Sequence, residues 1–147
     1  MGSSSWRGEG HGEPGDSTVQ RSYRWVMGGR YLESRNRSTY APQAKNPKGE
    51  VHEDVGYVSH DKGRNMLVMR QFHVEGFVNQ YVLESATADT FVFASEEIEN
   101  IPGGFRARET MRLLGDGQLE ETFEIAPPKK EFAVYSKTTL MKVAAQP

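Results

Sequence analysis

Two groups of residues in this chain have the types and spacing to do chemistry. His52-Glu53-Asp54 is the densest run of titratable side chains. In an extended strand it puts His52 and Asp54 on one side and Glu53 on the other, and Gly56 leaves space beside the pair. A carboxylate two residues from an imidazole on the same face fixes its tautomer or raises its pKa, which suits acid-base work. The second group is Arg21, Arg70, Asn79, Glu109 and Glu121, charged or amide side chains on faces that are otherwise apolar. An isolated buried charge costs several kcal/mol, so these groups must pair, reach a rim or line a wet cavity. Either Arg21 and Arg70 neutralise Glu109 and Glu121, or the set contacts a ligand. Two neighbouring carboxylates would push one pKa up and supply a general acid.

Other chemistries find less support. The chain has no cysteine, which removes disulfides and thiolate chemistry. His52, His60 and His73 lie on different segments without the helical spacing of a metalloprotease, so no metal site is predicted. No nucleophile elbow is present. Gly8-Glu9-Gly10-His11-Gly12 lacks the strand-then-helix context of a phosphate loop, and reads as a strand that something approaches closely.

The elements that must position these residues are strands. Turn signals recur at short spacing, among them Gly28-Gly29, Asp61-Lys62-Gly63, Glu75-Gly76, Pro102-Gly103-Gly104 and Gly115-Asp116-Gly117. Between them lie about ten segments rich in aromatic and β-branched residues, with no helical periodicity. The predicted fold is all-β, an antiparallel up-and-down β-barrel of about ten strands, calycin/lipocalin-like, with an interior cavity. Residues 1–147 are expected to form a single β-barrel domain, with 1–5 disordered or an added leader. Alternation groups Arg21 with Val19, Tyr23 and Trp25, and Arg70 with Met66, Val68 and Phe72. It also groups Asn79 with Phe77, Tyr81 and Leu83, and Glu121 with Leu119 and Phe123.

A net charge of −2, with Lys and Arg scattered among Asp and Glu, gives no basic patch for nucleic acid. No apolar run matches a signal peptide or a membrane span, so a cytoplasmic protein without membrane contact is expected.

Three motifs carry a family resemblance: Trp6-x-Gly8-x-Gly10-x-Gly12, His52-x-Asp54-x-Gly56-Tyr57, and Tyr135-Ser136-x-Thr138. Together they resemble the nitrobindin-like, fatty-acid-binding-protein-like β-barrels of the calycin group, over nearly the whole chain. In that family a glutamate stands where this chain has Asp54. The resemblance implies a barrel of roughly ten antiparallel strands. In the better-known members it also implies haem b, held by a histidine near the C-terminus. Here the last histidine is His73, and nothing from Phe105 to Pro147 supplies an imidazole.

The functional expectation is a barrel that binds a hydrophobic or amphipathic small molecule such as a fatty acid. Its ligand-binding residues would be Arg21, Tyr23, Trp25, His52, Asp54, Arg70, Phe72, Asn79, Tyr81, Phe93, Glu109, Glu121 and Phe123. An arginine there favours a carboxylate headgroup. A haem-binding barrel of divergent ligation is one alternative. A small enzyme using His52 and Asp54, or Glu109 and Glu121, is another. A homodimer is compatible with either, and a cavity filled by its own side chains is the remaining reading.

Overall fold

The computed structural model describes residues 2–144. It contains ten strands: β1 (Ser3–Gly12), β2 (Ser17–Val26), β3 (Tyr31–Tyr40), β4 (Glu50–Asp61), β5 (Met66–His73), β6 (Val78–Ala86), β7 (Thr90–Glu99), β8 (Arg106–Gly115), β9 (Gln118–Ala126) and β10 (Ala133–Lys142). Each pairs with its sequence neighbours and β1 pairs with β10, which closes an antiparallel up-and-down barrel. Closure removes the unpaired edges that an open sheet would expose. Among the described residues no helix is long and apolar enough to cross a membrane.

The start of the chain departs from expectation. Ser3, Ser4 and Ser5 pair with Arg24, Tyr23 and Ser22, because their backbone groups complete the ladder at the end of β2. Met1 lies outside the described residues.

The alternate glycines of β1 belong to the closing seam. Gly8, Gly10 and Gly12 stand opposite Leu140, Thr138 and Ser136 of β10. A methyl group at Gly8 would run into the Thr139 carbonyl, so the two strands approach only because that position lacks a side chain.

One half of the barrel is filled by its own side chains. Met69, Tyr81, Phe93 and Ala107 form one buried cluster, with Leu83, Phe91 and Phe123 packed against it. Val19, Leu119 and Leu140 form another, flanked by Trp6, Tyr23 and Met111. Burying side chains of this size stabilises a fold by about 1.5–3 kcal/mol each.

β5 has the phase opposite to the one alternation suggested. Met69, Gln71 and His73 face inward, and Arg70 and Phe72 face out. Antiparallel partners share a face, and β5 is bound on both sides: Asp54 and Val58 of β4 stand opposite His73 and Met69, and Asn79 and Tyr81 of β6 stand opposite Gln71 and Met69. The two neighbours decide the phase against the more apolar set of β5 residues.

Candidate functional site

The other half of the barrel is open and holds a cavity of about 510 Å³. Its mouth lies at the end that carries the β1–β2, β3–β4, β5–β6, β7–β8 and β9–β10 connections. Pairing between β7 and β8 runs only from Thr90↔Arg112 to Ala94↔Arg108. Beyond that, the Ala107 N–H donates to Ser95 Oγ (2.8 Å), and the segment that follows β7 brings Ile101, Pro102 and Phe105 to the cavity. With Ile98, Phe123 and Ile125 they form an apolar side. Strands β2 to β6 supply a polar side that includes Arg21, Asn36, Ser38, His52, Asp54, Gln71 and Asn79.

Arg21 and Glu121 form the centre of the polar floor. Nη1 donates to Glu121 Oε2 at 2.7 Å and Nη2 to Oε1 at 3.0 Å, a two-pronged pair. Arg21 Nε donates to Asn36 Oδ1 at 3.0 Å, and Nη1 also reaches Tyr23 Oη at 3.4 Å. The side chains are only 8% and 14% exposed. Burial by itself works against the charge on Arg21, but Glu121 outweighs it and holds the guanidinium firmly protonated. Removing one partner of such a buried pair costs about 3–5 kcal/mol, because the other charge is left uncompensated.

Glu109 behaves differently. It is buried on the same floor, and among the described residues no hydrogen bond holds its charged form. Burial first, and then repulsion from Glu121, push its pKa well above the ordinary carboxyl value, with Arg21 only partly opposing. Glu109 therefore keeps its proton to a higher pH than an ordinary carboxyl group. Expectation paired Arg21 with either acid. The structure gives Arg21 to Glu121 and leaves Glu109 free.

The β4–β5 wall carries the imidazoles. His52 Nδ1 is 2.6 Å from Glu75 Oε1, and His52 Nε2 is 3.4 Å from Asp54 Oδ2. These bonds, that to Asp54 foremost, raise the His52 pKa to about 9 against the opposing effect of burial. Burial would raise the Asp54 carboxyl, yet hydrogen bonds from His52 and from Gln71 Nε2 (2.9 Å) bring it below its ordinary value. His73 lies 3.4 Å away, Nδ1 to His52 Nε2, and stacks on Phe77 with ring centres 4.0 Å apart. Burial lowers its pKa to about 4. Among the described residues, three buried polar atoms on this side of the barrel have no protein partner: Gln71 Oε1, His73 Nε2 and Asn79 Oδ1. Asn79 spends its Nδ2 on Tyr81 Oη at 2.7 Å.

Of the residues expected to meet a ligand, Arg21, His52, Asp54, Asn79, Glu109, Glu121 and Phe123 line the cavity. Tyr23, Tyr81 and Phe93 point inward but pack into the filled half. Trp25 shares their face, yet lies near the far end and is 47% exposed. Arg70 and Phe72 are corrections, since both stand on the outside. Arg70 is 42% exposed and donates to Gln80 Oε1 and Glu99 Oε2 there, and Phe72 is 43% exposed.

Sequence reasoning missed Gln71, His73, Glu75 and Asn36. The first three were recoverable from the β4–β5 hairpin. Equal steps back from Asp61↔Met66 put Asp54 opposite His73 and carry His52 to the level of Glu75. The inverted phase of β5 hid them.

Haem needs an axial ligand presented to an open, apolar slot. β10 carries no histidine. Of the three imidazoles that line the cavity, His11 is held at Nδ1 by Asp16, His52 has a carboxylate at each nitrogen, and the free nitrogen of His73 is buried. As arranged, the nitrogens of His52 and His73 face each other and their neighbouring acids rather than an apolar slot.

No family model matches the chain, and no curated protein matches it. Among solved structures it is similar to the crystal structure of Rv2717c from M. tuberculosis, with 16% sequence identity and a TM-score of 0.71. The match covers 95% of this chain and 91% of that one. At this identity the likeness establishes a shared barrel fold.

Proposed function

We propose that the barrel binds an amphipathic small molecule, with its apolar part at the mouth and its polar part against the β2–β6 wall. The observation that carries this reading is the division of the cavity. Ile98, Ile101, Phe105 and Phe123 offer an apolar side, while Asn36, Ser38, His52, Asp54, Gln71 and Asn79 set polar side chains on the other. A few convergent polar groups facing an apolar wall are what orients a molecule in a pocket of this kind. Glu109 adds a carboxyl group that keeps its proton to a higher pH than usual and in that form both donates and accepts. Arg21 is committed to Glu121 and Arg70 is outside, so neither offers a free fork to a lone carboxylate. The polar end that suits this wall is a neutral or donor-rich group, and a fatty acid becomes the comparison ligand.

Native mass spectrometry on gently purified protein, beside a denatured sample, tests the reading. The expected result is a non-covalent adduct of a small organic molecule, lost in Ser136→Phe, which puts a ring into the lumen. An adduct with the mass of haem would replace this reading with the haem one. No adduct, and no saturable uptake from a panel of amphipathic molecules, would sink it.

The buried Glu109 on the cavity floor, whose pKa is raised by burial and by Glu121, favours a second reading, a barrel that protonates its bound molecule. In that case Glu109→Gln retains uptake and loses conversion.

A further inference from the structure

We propose that His52, His73 and Glu75 form a binding site for a divalent transition metal ion of the zinc class at the rim of the cavity. The ligand atoms of the three residues all lie within 4.8 Å of one another. The closest nitrogens of the two imidazoles, His52 Nε2 and His73 Nδ1, are 3.4 Å apart. Two donors on a tetrahedral ion with bonds of about 2.0–2.1 Å stand about 3.3–3.4 Å apart, so the rings already have the separation of neighbouring ligands.

The surroundings support an ion as well. Metal-bound imidazoles usually hold a carboxylate or carbonyl at the nitrogen that does not bind metal. His52 has a carboxylate at each nitrogen: Glu75 at Nδ1, 2.6 Å away, and Asp54 at Nε2, 3.4 Å away. The ion takes Nε2, the nitrogen that faces His73, and Glu75 must turn from Nδ1 to become the third donor. Asp54 is itself fixed by Gln71, and His73 is fixed by stacking on Phe77. Two imidazoles with carboxylate oxygens select zinc, iron, cobalt or nickel over magnesium and calcium. Three side-chain donors leave a coordination position for water or for a molecule in the cavity. This inference stands on the geometry of the β4–β5 wall and does not depend on what the cavity holds.

The test uses the full chain, stripped with a chelator and dialysed against Zn²⁺, with metal content measured per chain. Co²⁺ absorbance in parallel reports coordination number. One equivalent should bind, and His60→Ala, which removes an exposed imidazole on the opposite end of the β4–β5 hairpin, should leave it unchanged. His52→Ala and His73→Ala should weaken binding at least a hundredfold. Asp54→Asn, which removes the negative charge beside the bound nitrogen, should weaken it about 10–100-fold. Glu75→Gln alters a partly exposed residue in the β5–β6 turn and should also lose at least tenfold with an unchanged melting temperature. Zinc binding that persists in His73→Ala overturns the proposal. So does a folded wild-type protein that takes up no zinc. Uptake of amphipathic molecules by the stripped protein, measured alongside, shows whether the cavity reading survives that failure.

Discussion

At the level of single residues, the cavity floor separates two carboxyl groups by their partners. Glu121 is held in a two-pronged bond by Arg21, while Glu109 has burial and a neighbouring negative charge and no compensating bond. The folded pKa of Glu109 is raised above its unfolded value. Its favourable effect on stability is therefore complete below the unfolded value of about 4.5 and is lost progressively as pH rises towards the folded pKa. In that window the unfolded chain has released a proton that the folded chain still holds. Glu109→Gln keeps the shape and removes the titration. The difference in stability between wild type and Glu109→Gln should shift in favour of the variant as pH rises above about 4.5, by thermal melts across pH. A difference that stays flat with pH would show that Glu109 ionises normally.

At the level of elements, the seam between β1 and β10 decides whether the sheet closes. β1 makes room with glycine, most severely at Gly8, where any side chain meets the Thr139 backbone. Gly8→Ala must push the strands apart or break their ladder. We expect it to lower the melting temperature sharply and to speed hydrogen exchange of β1 and β10 amides before those of β4 to β6. Uniform exchange with normal stability would show that the seam tolerates a methyl group. Gly2→Ala, whose added methyl meets nothing within 4 Å, provides the control. β5 teaches a related lesson about elements. Its own alternation favours Met66, Val68 and Phe72 as the inner face, but its ladders with β4 and β6 fix the other one.

At the level of the whole molecule, the barrel divides its labour along its axis. The half around Tyr81 and Leu140 is a packed core, and the half around Arg21, His52 and Phe105 is a cavity. Leu140 is fully buried, and Leu140→Ala should cost about 2–5 kcal/mol in urea unfolding while leaving small-molecule uptake intact. Loss of uptake in a still-folded Leu140→Ala protein would mean that the two halves are coupled. The sequence alone determined the strands, their turns and the all-β barrel, because a two-residue period and glycine-rich turns are local properties of the chain. It also marked Arg21, Arg70, Asn79, Glu109 and Glu121 as unusual, since a charge or amide on an apolar face is visible without a fold. Only the tertiary structure decided that Glu121 takes Arg21, that Arg70 and Phe72 face out, and that His73 meets His52. Those outcomes depend on strand register, and register is set by pairs of strands acting on one another, which no single segment encodes.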